Sequence, residues 1–583
     1  MERQLCEQAL VFFSGDVASF VCVFCVVTDE ILLNTCQSKY VTLSVTKAKT
    51  IMIINFMIYI DCNINKKYVS NEYSMCYHNF TMRKKKLLLV LLIAALLITI
   101  SLRYFAYKSR LPDSMNMSSP IHMHNDVSLE GETPVASLRM NKTNASVKNF
   151  SLIAQVVKRK GLPDAWTFNG TTPGPELHVI QGDHVHVILV NRLPVATSIH
   201  WHGLSVPNAE DGVAGVTQDA VKPGESYAYD FIASDDPGTY WYHSHQDPNN
   251  QIPKGLFGAF IIDPVTKPHY DHDYVLAFAN YQGPYKNIFE SFWNNLLQNA
   301  REKQSVAING NQGTTLLTGR PGEKIRLRLI NATAGDFLGK PVRIAVSGAQ
   351  FQVVALDGHD LHEPQFIKNQ ILPIDSGQRY DLVVIMPTSG AVQLLDLDDS
   401  DKLVLGSGKV APDDPKTFSV FDFTNYGTST TDPLLSRTKF DVNYTLEIGA
   451  HPGFHNGELA FVNTINGKSS PNVPMLTVKP DQVVHIHMVN KSIQAHPMHL
   501  HGHVMTILKM NVKPIKGSPV HLDSILLERN ESVDVAFVAN NPGLWMLHCH
   551  ITNHAMHGLS MMVVYPNIST PYTIGIKSGN IPE

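Results

Sequence analysis

One pattern recurs three times along this chain, and it limits the fold more than any other feature. Asn169-Gly170 leads through Gln181-Gly182-Asp183 to the alternating run His184-Val185-His186-Val187-Ile188-Leu189-Val190-Asn191. Asn309-Gly310 leads through Pro321-Gly322-Glu323 to Ile325-Arg326-Leu327-Arg328-Leu329-Ile330-Asn331. Asn466-Gly467 leads through Pro480-Asp481 to Val484-His485-Ile486-His487-Met488-Val489-Asn490. The closing Asn follows the Asn-Gly pair by 22, 22 and 24 residues. Each unit reads as turn, strand, turn, strand, with period-two alternation bounded by Gly, Pro and Asp. Repetition on this scale means one architecture used three times. Further alternating runs, such as Phe351 to Leu356 and Ser532 to Val538, add strands. Helical periodicity is scarce, and Asn287 to Lys303 is the best candidate for a helix. The expectation is an all-β chain of three sandwich domains at 140–265, 266–430 and 431–583.

Ahead of the repeats the chain changes character. Arg83-Lys84-Lys85-Lys86 precedes an uncharged run from Leu87 to Leu102, the order of an export signal or signal anchor. Residues 82–106 are therefore expected to be a signal peptide or membrane anchor, with an uncleaved anchor whose basic end is cytoplasmic slightly favoured. The body would then lie outside the cytoplasm, at the membrane or secreted. Residues 1–81 carry apolar runs without periodicity and read as a non-globular extension. Residues 107–139 read as a flexible stalk. Met115, Met117, His122, Met123 and His124 in it have the donor types for Cu(I), although a plain polar stalk accounts for them more simply.

Composition narrows the function. A net charge of −4 with 17% charged residues gives no electrostatic support for binding nucleic acid. Six of the seven cysteines lie in the first 76 residues, so Cys549 is alone in the body. An internal disulfide or a Cys-rich zinc site is excluded there. Cys549 sits in Leu547-His548-Cys549-His550-Ile551, with His554 five residues on. A lone thiol between imidazoles is a poor disulfide half and a good copper ligand.

Three more His-X-His pairs join it: His200-Trp201-His202, His243-Ser244-His245 and His499-Leu500-His501, the last preceded by His496. Side chains at i and i+2 of a strand share a face. Each pair thus offers two imidazoles together, while Cys549 points opposite His548 and His550. One metal on the sulfur side and a separate group on the histidine side would be joined by backbone. The first and third repeats carry these clusters and the second does not, which casts the middle domain as a spacer. The repeats also supply a control. The second has Arg326 where the others have His186 and His485, so those positions read as solvent-facing strand sites, and His184, His186, His485 and His487 are rejected as ligands.

Together the four segments resemble those of three-domain multicopper oxidases of the laccase-like type, over roughly residues 140–570. The resemblance implies Greek-key, cupredoxin-like sandwiches and four copper ions. His496, Cys549 and His554 would bind the type 1 copper, and His200 and His499 the type 2. His202, His243 and His550 would bind one type 3 copper, and His245, His501 and His548 the other. Leu559, ten residues after the cysteine, occupies the family's axial position. Asp211, in Glu210-Asp211-Gly212, matches its carboxylate near the type 2 copper, which assists proton delivery; an ordinary turn aspartate is the competing reading. The implied reaction takes electrons one at a time from phenolic or similar reductants, through an exposed edge of His554 or His496. Cys549, His548 and His550 pass them on for reduction of O2 to water. A metallo-oxidase acting on Cu(I), Mn(II) or Fe(II) is the alternative. A non-enzymatic scaffold fits poorly, because every ligand position is filled. The catalytic unit is expected to be monomeric.

Overall fold

The computed structural model describes residues 71–117, 133–141, 143–159, 163–281, 306–335, 338–397, 402–409 and 414–582. The helix expected at Asn287 to Lys303 falls outside these, as do His122, Met123 and His124 and residues 1–70.

Among the described residues the body is three two-sheet β-sandwiches. In each, the repeat strand lies beside the same two neighbours. Strand His184–Asn191 pairs parallel with Val147–Val157 and antiparallel with Ser226–Ile232. Lys324–Asn331 pairs parallel with His272–Asn280 and antiparallel with Arg379–Ile385. Val483–Asn490 does the same with Val442–His455 and Ser532–Val538. The second sheets contain the strands His200–His202 and Gly238–His243 in the first sandwich and His496–Leu500 and Leu544–Cys549 in the third.

The two asparagines of the repeat explain its persistence. Asn169, Asn309 and Asn466 have φ of 54°, 49° and 51°, and the glycines after them 86°, 79° and 74°. Two successive left-handed residues are what a type I′ turn needs. Each Asn Oδ1 also accepts from a backbone N–H of the first strand: Ile153 at 2.7 Å, Ala277 at 2.7 Å and Glu447 at 2.8 Å. The closing asparagines are buried and pin the chain where it leaves for the other sheet. Asn191 Nδ2 donates to Val195 and Val221 carbonyls, Asn331 Nδ2 to Ile374, and Asn490 Nδ2 to Gln494 and Leu527. In the first and third sandwiches the segment delivered this way is the one bearing histidines.

The repeat strands pack their apolar residues inward: Val185, Val187 and Leu189, Ile325, Leu327 and Leu329, and Val484, Ile486 and Met488 are all fully buried. The intervening positions face an aspartate on the antiparallel neighbour. His184 and His186 pair with Asp230, His485 and His487 with Asp534, and Arg326 and Arg328 with Asp381. The sequence reading of these positions as solvent-facing holds only for the outer sandwiches. Arg326 and Arg328 are buried, because Asp381 and Thr239 of the adjoining sandwich cover them.

Two further differences concern the N-terminal region. The apolar run lies in one helix, Asn71–Lys108, whose stretch Leu89–Lys108 is 20 residues long with mean hydropathy 2.3, long and apolar enough to cross a membrane. The expected flexible stalk is, in its described parts, packed on the body. Thr133–Pro134 forms a parallel pair with Ile568–Ser569, Met115 bridges to Ile574, and Met117 and Val135 are buried.

Candidate metal centre

Four short strand segments build the site. His200–His202 runs antiparallel to Gly238–His243 with His200 opposite His243. His496–Leu500 runs antiparallel to Leu544–Cys549 with His499 opposite His548. The two ladders, from the first and third sandwiches, interleave their rings: His200 stacks on His501 with centroids 3.9 Å apart and His202 on His499 at 3.8 Å. His200, His202, His243, His245, His499, His501, His548 and His550 are each 4% exposed or less. Their ring nitrogens group closely enough to share metal ions: His200 with His202 and His243, His200 with His499 and His501, and His245 with His501 and His548.

The outer nitrogen of most of these rings meets an acceptor, which fixes the tautomer. His200 Nδ1–H donates to the Asp211 carbonyl (2.9 Å), His243 Nδ1–H to Ser244 (3.0 Å), His499 Nδ1–H to Asp523 (3.0 Å) and His548 Nδ1–H to Cys549 (3.0 Å). His501 Nδ1–H donates to the Asp211 carboxylate (3.0 Å) and His202 Nε2–H to the Asp523 carboxylate (3.1 Å). Ser376 Oγ donates to the Thr333 carbonyl and accepts from His550 Nδ1–H at 2.9 Å. Carbonyls and carboxylates only accept, so the other nitrogen of each neutral ring keeps its lone pair. Buried ring nitrogens at His200 Nε2, His202 Nδ1, His243 Nε2, His245 Nδ1, His499 Nε2 and His550 Nε2 have no hydrogen-bond partner. Each unpartnered buried polar atom costs about 1–3 kcal/mol. Six in one place fit bound cations and little else.

Cys549 faces the opposite side and is buried. Its Sγ lies 3.7 Å from His496 Nδ1 and 3.7 Å from His554 Nδ1, and those nitrogens are 3.1 Å apart. A triangle of those edges has its centre about 2 Å from every donor, the length of a metal–imidazole bond. Thiolate plus two imidazoles in a trigonal set is the donor chemistry of a blue-copper centre. Backbone bonds tie Leu559 to this site: Cys549 N–H donates to the Leu559 carbonyl (3.0 Å) and Leu559 N–H to the His554 carbonyl (3.1 Å).

Comparison with known proteins assigns the family. Profiles described as "Multicopper oxidase" match residues 154–267, 272–391 and 442–569, more than half of the chain between them. The chain is a multicopper oxidase. It is 27% identical over 435 residues to "Multicopper oxidase MmcO" of Mycobacterium tuberculosis, covering 68% of this chain and 82% of that protein. With "Laccase-1" of Botryotinia fuckeliana it shares 29% over 487 residues, 74% and 82% of the two chains. With "Iron transport multicopper oxidase FET5" of Saccharomyces cerevisiae it shares 26% over 481 residues, 68% and 75%. Among solved structures, a multi-copper oxidase from Pseudomonas thermotolerans superposes with TM-score 0.58 at 27% identity, over 72% of this chain and all of that one.

As in any copper enzyme, the imidazoles must be unprotonated to bind, and burial does this here. It pushes His202, His243, His245, His496, His501 and His550 well below the usual histidine range, and His499 to about 4.

Of the residues singled out in the sequence, Asp211 lies against two rings of the cluster. Its carboxylate contacts His501 Nδ1 (3.0 Å) and His200 Nδ1 (3.1 Å). The middle sandwich of this multicopper oxidase, by contrast, is more than a spacer. It supplies Ser376 to His550 and Arg379 to Asp523, and neither was visible in the sequence, which holds no motif joining residues about 150 positions apart. The expected open edge of His554 or His496 is also absent: both rings are fully buried. Ser492 Oγ, which donates to the Gln494 carbonyl, accepts from His496 Nε2–H at 2.8 Å, and the Gln494 side-chain amide lies 3.0 Å from His554 Nε2. The loop between the closing Asn490 and His496 folds back over the site and seals both rings.

Proposed function

We propose that this multicopper oxidase takes electrons singly from phenolic or similar reductants at the Cys549 site and reduces O2 to water at the histidine cluster. The observation that carries this is the pairing of a sulfur-centred donor triangle with a separate eight-histidine cluster, joined by single peptide bonds from Cys549 to His548 and His550. His496, Cys549 and His554 would hold a type 1 copper. His200 and His499 would hold type 2. His202, His243 and His550, and His245, His501 and His548, would hold the two type 3 ions. Bound copper would supply the one-electron carrier and the dioxygen-reducing centre. Asp211, against His200 and His501, is placed to hold and release a proton beside that centre. Leu559 offers no donor atom, which favours Cu(I) and raises the potential of the sulfur site. A small cavity lined by His243, His245, Pro248, Ile252, His548, Cys549, His550 and Thr552 borders the cluster.

A second reading rests on a specific observation. With His496 and His554 sealed by Ser492 and Gln494, no ring edge is open for a phenol to stack on. That favours a small outer-sphere donor such as Cu(I), Mn(II) or Fe(II). The helix containing Leu89–Lys108 supports a location at a membrane, or export followed by cleavage, and the body is proposed to lie outside the cytoplasm as a monomer. Metal analysis of the purified protein should give four coppers per chain, a blue absorption and two distinct paramagnetic coppers, and oxygen uptake should be tested on phenols and on metal ions. Copper-dependent uptake with metal ions alone selects the second reading. Copper-replete protein inert to every donor rejects both.

A further inference from the structure

Arg379 is fully buried, and nothing in the donor chemistry above requires it. It enters on strand Arg379–Ile385 of the middle sandwich and reaches residues of both others. Its NH1 group donates to Asp523 Oδ1 at 2.8 Å, and its NH2 nitrogen lies 2.7 Å from Asp523 Oδ2 as an ion-pair contact. Its Nε donates to the Thr239 carbonyl (3.0 Å) of the first sandwich and its NH2 to the Asp357 carbonyl (2.9 Å) of the middle one. A planar, forked guanidinium can donate to one carboxylate and two carbonyls in fixed directions at once, and a lysine ammonium does not reproduce that fork.

The carboxylate so held is the one that orients two cluster rings. Asp523 Oδ1 accepts from His202 Nε2–H at 3.1 Å and lies 3.3 Å from His499 Nδ1, whose N–H donates to the backbone carbonyl of the same residue. His202 belongs to the first sandwich and His499 to the third. One carboxylate therefore sets the tautomer that turns His202 Nδ1 inward and borders the ring that turns His499 Nε2 inward. Burial alone would raise the Asp523 carboxyl, but Arg379, His202 and the histidine hydrogen bonds outweigh it and hold it well below the usual range.

The surroundings are shaped for this arrangement. A Cβ on Gly203 would meet Asp523 Oδ2 at 2.6 Å and sit against the Arg379 guanidinium. A Cβ on Gly377 would lie 3.0 Å from both His202 and His550 ring atoms. The glycine after His200-Trp201-His202 is required both by its left-handed φ of 86° and by the close approach of Arg379 and Asp523.

We propose that Arg379 is a positioning residue for the copper cluster: it locks the Asp523 carboxylate in the one orientation that serves His202 and His499 together, so that the middle sandwich sets the cluster built by the outer two. The inference rests on the cluster holding copper as proposed above. Outer partners of metal-binding histidines are worth 10–100-fold in metal affinity, and the same range is expected here.

The test is Arg379→Lys, which keeps the charge and loses the fork. Copper-loaded protein is challenged with a chelator, and copper per chain, the blue absorption and the type 2 paramagnetic signal are followed together. The expected result is an intact blue band, an altered type 2 signal and cluster copper released about 10–100-fold more readily. Equal retention with an unchanged type 2 signal overturns the proposal. Where Arg379→Lys does not accumulate as folded protein, Asp523→Asn, which leaves Arg379 beside Asp357, carries the same two outcomes. Wild-type protein without a blue band or cluster copper would instead reject the copper reading itself, whatever the variants do.

Discussion

Strands His184–Asn191 and Val483–Asn490 carry His-X-His, and so do the strands that build the metal centre, yet the two sets do opposite things. On the repeat strands both rings turn to a single aspartate on the neighbouring strand, Asp230 or Asp534, at the rim of the sandwich. In the centre most rings give one N–H to an acceptor and aim the lone pair at other histidines. The pattern of residues is identical. What differs is whether a second histidine ladder faces the first, and that is decided by how two sandwiches pack, hundreds of residues apart.

The largest effect should separate the two sets directly. His501→Ala is expected to lower oxygen uptake by more than about 100-fold, since even an outer partner of a metal-binding histidine is worth 10–100-fold. His487→Ala should leave uptake within about twofold, a solvent-bordering pair contributing about 0–1 kcal/mol. Equal losses in the two variants would erase the distinction.

Burial should also separate the repeat strands from one another. Asp381→Ala leaves Arg326 charged and buried without its bonded carboxylate, while Arg328 keeps Asp273, a cost of about 3–5 kcal/mol. Asp534→Ala, at the same register in the third sandwich, should cost under about 1 kcal/mol. Urea midpoints compare them, and similar shifts would show that position in the repeat matters more than burial.

A pH series sharpens the comparison further. The central histidines have folded pKa values depressed by burial, so the unfolded chain binds more protons between the ordinary histidine value near 6.5 and the His499 value of about 4. Copper-free protein should keep its full stability above pH 6.5 and lose it as pH falls towards 4, monitored by thermal midpoint. A His501→Ala variant should show a shallower loss. The smallest expected effect is at Leu559. Leu559→Met adds a weak thioether donor and should lower the potential of the sulfur site in a redox titration, with the cluster signals unchanged.

The sequence made the architecture legible because each repeat solves its own local problem. Asn-Gly sets a turn, alternation sets a buried face, and the closing Asn turns the chain towards the second sheet. The eleven proposed donors were legible for a similar reason: they come in close-set clusters on or just beyond strands, with His554 on the short helix Thr552–Met556. Arg326 misled because alternation reports which face a residue shares and cannot tell what lies beyond that face; here Thr239 and Asp381 close over it. Asp523, Arg379 and Ser376 were silent because each acts across a boundary between sandwiches, where no local spacing records the contact. The sealed His496 and His554 rings depend on how Ser492 and Gln494 fold back, a loop geometry with no periodic signature. Asp211 lay between these cases, a turn residue by local pattern and a partner of two cluster rings by packing.

The central claim is that one sulfur serves its own metal while its two neighbours serve another group, and Cys549→Ser tests it most directly. Visible and paramagnetic spectra with copper counts on that variant should show the blue band gone, one copper fewer per chain, the type 2 signal kept and oxygen uptake at background. A variant that keeps its blue colour and its full uptake would contradict the account.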